Sequence, residues 1–450
     1  MFGLEANAAD NFTQMTRREW LRAGFLGVTG LTLADVLRAE AANPAPSPET
    51  AVLLLFVHGG PSHLETYDLK PNAPDEIRGP FRPMRTNVPG IELCEHLPRH
   101  AKIAHRFSLI RSLCHDEAGH FEGHRRLLSG NGRAKTGSHE SYYPQVGAVV
   151  NRIHPAGPTG LPSALSVGGV VVNNPDYAPG ISEGYWPGTY RVPIVQRSLP
   201  NASLRVASRQ FEDRLTLLRQ FDNCRRDLDR SGTMEGMDEY NRRAVEILLS
   251  GRARQAFDLS REPAPIIDQY GPGYGQEVLI ARRLIEAGVR FVTVRAPGGG
   301  PGSMAHDWDD HAVNWDMLTA MRARLPRYDQ VVSTLIEDLY SRGLDKRVLL
   351  IVTGEFGRTP RLERKDGRIG RDHYPGAMSI LVSGGGMATG QVIGSTDSHG
   401  AQPRERRLDP HDLLATIYRF LGIDPHRQFP DPTGRPISLC QGEPIRELIA

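Results

Sequence analysis

The chain has 450 residues, a formal net charge of +2 and 39% hydrophobic residues, with 47 glycines in addition. This composition is that of a folded globular protein, which excludes a wholly disordered or fibrous chain. Lys+Arg (54) and Asp+Glu (52) nearly balance, so no basic surface for nucleic acid is expected, and no apolar run is long enough to give the mature chain an integral membrane segment.

Residues 1–42 resemble a twin-arginine signal segment. Arg17 and Arg18 precede a short, weakly apolar stretch at 24–34, and residues 39–41 (AEA) fit a small-x-small cleavage site. A proline-rich linker follows at 43–50. We expect the twin-arginine export machinery as a partner and the periplasm or cell envelope as the location, which an exclusively cytoplasmic fraction would contradict. The alternative is a surface helix that happens to carry two arginines.

Residues 51–450 alternate apolar strands with helical periodicity, which predicts a single α/β domain. The continuous apolar run 51–57 is typical of a strand buried on both faces. Further strands are predicted at 107–113, 288–295, 347–353 and 378–383, and helices at 203–229, 235–250, 276–287, 314–323, 327–342 and 410–421. Two insertions are predicted: 155–200 as a lid or substrate wall, and 203–260 as a helical cap or flank.

Histidines and carboxylates are concentrated where these strands end. Eight of the 16 histidines fall within residues 96–154, and such crowding indicates metal or acid–base chemistry. Ligands of open α/β sheets bind at the carboxyl ends of strands. The residues of interest after the first, third and fourth predicted strands are Ser62, His63, Asp68, Asp309, His311, Glu355, Arg358, Arg371 and His373.

These residue types suit a divalent cation, because carboxylates offer hard oxygens and imidazoles offer nitrogen ligands for Zn²⁺, Mn²⁺ or Fe²⁺. Each cluster alone is more often a capped helix start or a salt-bridge partner. Their recurrence at successive strand ends favours a metal site.

A further cluster, residues 115–124, follows the second strand and contains His115, His120 and His124. His120 and His124 are four residues apart, so on a helix they would share one face and reach one ion or anion. The alternative is that His124 only caps a helix or pairs with an acid.

Several of these segments resemble a known family. HGGPSHLETYD, CHDEAGHFEGHRRLLSGNG, WDDH, GEFGRTP and GRDHYP occur in this order. With the leader, they resemble a large uncharacterised family of exported bacterial proteins that is usually classed as sulfatase-like, within the alkaline phosphatase/sulfatase superfamily. The resemblance covers nearly all of residues 16–448. It implies a three-layer α/β/α sandwich around a mixed, mostly parallel sheet, with two adjacent metal sites and a nucleophile at a helix start after the second strand.

The resemblance also implies roles for single residues. Asp309 and His311 match the Asp–His pair of one metal site, Glu355 matches the acidic ligand after the next strand, and His373 matches the late histidine ligand. The usual companion histidine after Glu355 is replaced by Phe356. The remaining candidates are a metal ligand after the first strand (Asp68), catalytic side chains (His120, His124 and Arg358, whose guanidinium would neutralise the anionic group), anion-binding side chains (Arg371, Ser62 and His63) and a neighbour of the site (His115).

One departure concerns the nucleophile. The position expected for Ser, Thr or Cys holds His120, and the position expected for Arg holds His124. Three outcomes follow: His120 attacks as a nucleophile, it is an extra metal ligand while metal-bound water attacks, or the site is degenerate and only binds. We favour the second, because three histidines lie close together and imidazole suits a metal.

The function expected from these features is an exported metal-dependent hydrolase of phosphate or sulfate esters. Its substrate would be an anionic small molecule or polysaccharide, and its cofactor one or more divalent ions (Zn, Mn, Fe or Ca). The alternative is a non-catalytic envelope protein that binds anionic glycans on a degenerate sulfatase-like scaffold. An oxidoreductase that uses the histidines for iron or copper is a third, weaker hypothesis.

Overall fold

The computed structural model describes residues 50–154, 161–168, 180–195, 255–297 and 307–449. The expected signal segment, almost all of the linker and the predicted helices 203–229 and 235–250 lie outside these residues. Within the described ranges, no helix has both the length and the apolar character that crossing a membrane requires.

Strands and helices alternate along the described part of the chain. The strands are β1 Ala51–Phe56, β2 Pro83–Arg85, β3 Glu92–Cys94, β4 Phe107–Leu113, β5 Ala164–Val167, β6 Ile194–Val195, β7 Phe291–Arg295, β8 Val348–Thr353, β9 Gly357–Arg358, β10 Glu363–Lys365, β11 Arg368–Gly370, β12 His373–Tyr374, β13 Met378–Gly384, β14 Val392–Ile393, β15 Ser395–Thr396, β16 Pro403–Glu405, β17 Gln428–Pro430 and β18 Pro436–Ser438. The helices are α1 Asp75–Arg78, α2 Pro98–Lys102, α3 His120–Ser129, α4 Val146–Ile153, α5 Ala264–Tyr270, α6 Tyr274–Glu286, α7 Met317–Ser341 and α8 Pro410–Phe420. Short 3-10 helices lie at Ala104–Arg106, Gly188–Tyr190, Leu259–Arg261 and Arg446–Leu448.

An eight-stranded sheet forms the middle layer, in the order β14-β4-β13-β8-β1-β7-β5-β6. Strand β13 runs antiparallel to both of its neighbours, whereas the other pairings are parallel. The helices that connect parallel strands cover both faces of such a sheet. The strands are therefore buried on both faces, and their sequences are mainly apolar. The mixed, mostly parallel sheet predicted from the sequence is therefore confirmed.

Strand β1 shows how the layers are held together. Its six residues are buried: Leu53 and Leu55 pack on the face covered by α6 and α7, whereas Val52, Leu54 and Phe56 pack on the face covered by α3, α4 and α8. Burying one such side chain stabilises the fold by roughly 1.5–3 kcal/mol. The sheet with helices on both faces is the α/β/α sandwich that the sequence predicts.

Helix α7 and strands β5 and β6 are among the elements that differ from the prediction. Helix α7 runs through Pro326 as a single helix, where two helices were predicted, because buried side chains on both sides of the proline pack against the sheet. Strands β5 and β6 extend the central sheet, although 155–200 was predicted to lie over it. At four and two residues, these strands are too short to give a recognisable period.

The turn after β1 brings two segments into close contact. Gly59 has φ +104°, and a Cβ atom there would lie 2.5 Å from the backbone nitrogen of Asp309. Its own N–H donates to both carboxylate oxygens of Glu355, at 3.0 and 3.2 Å. The turn therefore has room for glycine alone.

We expect Gly59→Ala to destabilise the protein far more than Gly90→Ala. Gly90 has φ +85° and open space around it. The free energy of unfolding of Gly90→Ala should therefore fall only by the roughly 1–2 kcal/mol that a left-handed backbone costs a residue with a Cβ. Gly59→Ala has the same cost, and its Cβ atom also requires the backbone at Asp309 to move. Urea unfolding measures both, and equal losses in the two variants would contradict this packing.

Candidate metal centre

Polar side chains from five segments meet at the carboxyl end of the central strands. His58 follows β1, His120 is the first residue of α3, and Glu355 follows β8. The loop before α7 supplies Asp309 and His311, and β12 supplies His373, whose strand pairs antiparallel with β9. The edge of the sheet where α/β proteins bind ligands is therefore lined with imidazoles and carboxylates.

Three imidazoles surround one oxygen of Asp309. His311 Nε2 and His373 Nε2 each lie 2.9 Å from Asp309 Oδ1, and His120 Nε2 lies 3.4 Å from it. These four side chains are called the Asp309 group. Each is 19–24% exposed, so the group is reachable from solvent.

A second set of ligand atoms lies deeper. Glu355 Oε1 is 2.7 Å from His120 Nδ1 and 3.4 Å from His58 Nδ1. Glu355 is completely buried and the His58 side chain is 6% exposed. These three residues are called the Glu355 group, and His120 belongs to both groups.

The carboxylates of both groups are held ionised. Burial opposes ionisation of Asp309, but hydrogen bonds from His120, His311 and His373 outweigh it and hold the pKa of Asp309 far below its ordinary value. Burial opposes ionisation of Glu355 as well, yet His58 and His120 lower its pKa to about 2. Burial lowers the pKa of His120, but its hydrogen bonds with Asp309 and Glu355 outweigh burial and raise this pKa to about 9. Two carboxylates are therefore held ionised and available to a cation, and burial lowers the pKa values of His58 and His373, which favours the neutral imidazole that binds metal.

The donor set fits a divalent cation. Ligand atoms at ~2.0–2.1 Å from a tetrahedral zinc ion are separated by roughly 3.3 Å. The nitrogen–oxygen separations in the Asp309 group are 2.9, 2.9 and 3.4 Å. Mixed imidazole and carboxylate ligands also suit manganese and iron.

Neighbouring groups orient these ligands, as is usual around metal sites. Asp372 Oδ1 lies 2.7 Å from His311 Nδ1, and the carbonyl oxygen of Ala118 lies 2.8 Å from His373 Nδ1. His115, predicted as a neighbour, contacts the carbonyl oxygen of Glu355 through Nε2 at 2.7 Å. Each contact turns the opposite ring nitrogen, or the carboxylate, towards the cluster.

Arg358 lies beneath the cluster and is completely buried. Its guanidinium donates to Asp309 Oδ1 at 2.7 Å and to the carbonyl oxygens of Gly59, Gly60, Trp308 and Arg371. All of its nitrogens are engaged within the chain. This corrects the expectation that Arg358 binds an anion, because it positions Asp309 instead.

Arg371, Ser62 and His63 are also not at the cluster. The buried guanidinium of Arg371 pairs with Glu65, with Nη2 2.6 Å from Oε1, and Ser62 donates to the same carboxylate. His63 Nε2 lies 2.8 Å from the carbonyl oxygen of Gly400. These side chains hold loops together, which corrects their expected role in anion binding.

Asp68 is likewise absent from both groups. Lys70 Nζ lies 3.0 Å from its Oδ1, Thr396 donates to its Oδ2, and Arg111 Nε lies 3.7 Å away. A carboxylate already surrounded by these donors has no role as a ligand of the cluster. Among the described residues, the side chain that follows the first strand and lies at the cluster is His58.

His124 shares a helix face with His120 but lies one turn further from the cluster. It is 4% exposed, its Nδ1 is 3.4 Å from Gln145 Nε2, and its ring packs edge-on against Phe56 at 5.5 Å. The predicted common face is present, but the sheet buries its second histidine. This corrects the expected catalytic role of His124.

His58 and Asp372 belong to the site but were not predicted from the sequence. His58 directly follows the first strand, so the same strand-end reasoning that selected Glu355 could have selected it. Asp372 is next to His373 in sequence but acts on His311. Only the tertiary fold reveals that pairing.

Comparison with known proteins places the chain in a family. The family model described as "Protein of unknown function (DUF1501)" matches residues 49–449. The chain belongs to this family. No curated protein matches this DUF1501 member.

Several solved structures match the DUF1501 member over most of its length, at low sequence identity. The PsFucS1 sulfatase from Pseudoalteromonas sp. is 14% identical with a TM-score of 0.38, covering 87% of this chain and 70% of its own. The phosphonate monoester hydrolase SpPMH from Silicibacter pomeroyi is 12% identical with a TM-score of 0.37, covering 88% and 76%. The lipoteichoic acid synthase LtaP from Listeria monocytogenes is 8% identical with a TM-score of 0.37, covering 89% and 76%. Overlaps of this size carry no information about the reaction of the DUF1501 member.

We expect His124 to make the fold sensitive to acid. Burial lowers its pKa to about 3, below the ~6.5 of an unfolded histidine. The stability that follows from keeping this ring neutral is present above pH 6.5 and is lost as the pH falls towards 3. Between pH 7 and pH 5 the loss should be about 2 kcal/mol.

Urea unfolding of the wild type and His124→Gln at both pH values tests this, with exposed His426→Gln as the control. The variant should lose about 2 kcal/mol less than the wild type on acidification. Equal losses would show that His124 is not the group responsible.

Proposed function

We propose that this protein is an exported, metal-dependent hydrolase of phosphate or sulfate esters. The observation that carries the proposal is the convergence of three imidazoles on the ionised Asp309, with the buried Glu355 beside them. Asp309, His373 and His120 would hold one cation, with His311 against the same oxygen of Asp309, and His58, Glu355 and His120 would hold another. A divalent cation bound there would supply Lewis-acid polarisation of an ester oxygen and would lower the pKa of a water molecule.

The part-exposed Asp309 group is where an ester would bind. An anionic substrate requires positive charge, but Arg358 and Arg371 are committed to partners inside the chain. Charge neutralisation therefore falls to the cations and not to these guanidinium groups. This makes recognition of the substrate depend on metal more strongly than in a site with a free arginine.

His120 is poorly placed to attack a substrate. Both of its ring nitrogens face carboxylates, at 2.7 and 3.4 Å. A nucleophile needs a free lone pair directed at the substrate. His120 instead supports the second of the three outcomes drawn from the sequence, in which it is a metal ligand.

Export belongs to the proposal and rests on the twin arginines and the apolar stretch behind them. A periplasmic location would bring the site into contact with anionic esters and glycans of the cell envelope. The substrate class proposed is accordingly an anionic small molecule or polysaccharide ester.

We expect turnover of aryl phosphate or aryl sulfate once the purified protein is loaded with Zn²⁺, Mn²⁺, Fe²⁺ or Ca²⁺. Asp309→Asn should lower kcat/KM by at least about 100-fold, because it weakens the ligand that three histidines share. His426→Ala removes an exposed imidazole and should leave the rate unchanged.

The two named functions give different outcomes in this assay. Cation binding without turnover of any ester would contradict the hydrolase and favour the envelope protein that binds anionic glycans. Turnover unaffected by Asp309→Asn would place the reaction elsewhere on the molecule.

A further inference from the structure

His120 lies between the two ligand groups and contributes a different nitrogen to each. Its Nδ1 is 2.7 Å from Glu355 Oε1, whereas its Nε2 is 3.4 Å from Asp309 Oδ1. The two nitrogens are on separate edges of the imidazole ring. The Glu355 group and the Asp309 group can therefore use the same side chain without competing for one atom.

Neighbouring rings keep the imidazole in this orientation. The ring centroid of His373 lies 4.3 Å from that of His120, Phe356 at 5.3 Å and His58 at 5.4 Å. His120 is also the first residue of α3, so its backbone is fixed by the helix. Packing on several sides opposes a rotation that would direct both nitrogens towards one group.

A histidine ring has two nitrogens, and each becomes a metal ligand once it has lost its proton. In His120 each nitrogen faces the carboxylate oxygen of a different group, at 2.7 and 3.4 Å. A cation in the Glu355 group would therefore meet Nδ1 of His120, and a cation in the Asp309 group would meet Nε2 of the same ring.

We propose that His120 binds two divalent cations at once, one through each ring nitrogen, and so joins the two groups into a dinuclear centre. The inference rests on the proposed function only for the presence of cations. Each cation that binds displaces one ring N–H proton of His120 to water, and no electron is transferred. His120 is then a bridging ligand, and the position expected to hold a nucleophile holds a metal bridge.

Copper(II) alone is a suitable probe, because two copper ions joined by an imidazolate couple magnetically and lose EPR intensity. The full chain is loaded with two equivalents of Cu(II), passed through gel filtration and analysed for bound copper and for EPR spin count at low temperature. We expect two bound ions per wild-type chain and a spin count well below one per bound copper. His120→Ala should restore one spin per bound copper, and His426→Ala should behave as the wild type.

Several results would overturn the bridge: a single bound copper, no bound copper, a full spin count in the wild type, or a reduced spin count that persists in His120→Ala. If His120→Ala does not fold, zinc replaces part of the copper in the wild type, and the spin count per copper should rise. An unchanged count would contradict the bridge. Ester hydrolysis by a protein that shows full spin count would refute the bridge and leave the proposed function standing.

Discussion

One buried guanidinium holds the cluster in place. Arg358 joins the turn after β1, the loop that carries Asp309 and the segment that leads to His373, through hydrogen bonds to four carbonyl oxygens and one carboxylate. Burying such a charge is costly unless it is paired and its donors are satisfied. Here every nitrogen of Arg358 has a partner. The three segments keep their positions because they bind the guanidinium, and the buried charge is tolerated because the segments supply its acceptors.

The same arrangement explains how so many titratable groups can lie together. Asp309 receives Arg358 on one side and three imidazoles on the other, and Glu355 receives two imidazoles and the N–H of Gly59. The pKa values of both carboxylates are lowered, and the raised pKa values of His120 and His311 favour protons on these two rings. A cation would displace those protons, and metal binding would therefore become weaker in acid.

The sequence predicts the parts of this structure that depend on local pattern. Short, mainly apolar segments identify β1, β4, β7, β8 and β13, and the rule that ligands bind at strand ends selects Asp309, His311, Glu355 and His373. The strand-end rule fails where a polar side chain follows a strand but is buried against partners elsewhere in the chain. Arg371 pairs with Glu65, which lies 306 residues away in sequence, and Asp68 is taken by Lys70 and Thr396. Nothing in the local sequence distinguishes these residues from ligands. His58 is a different case, because it directly follows β1 and the strand-end rule could have selected it.

The metal content of the purified protein shows most directly whether the cluster is a metal centre. The chain is incubated with Zn²⁺, Mn²⁺, Fe²⁺ or Ca²⁺, passed through gel filtration, and subjected to elemental analysis and thermal unfolding with and without chelator. We expect stoichiometric retention of at least one of these metals, its loss in His311→Ala, and a lower Tm of the wild type after chelation. Wild-type protein that retains no metal under any condition, and whose Tm is the same with and without chelator, would contradict a metal centre at the cluster.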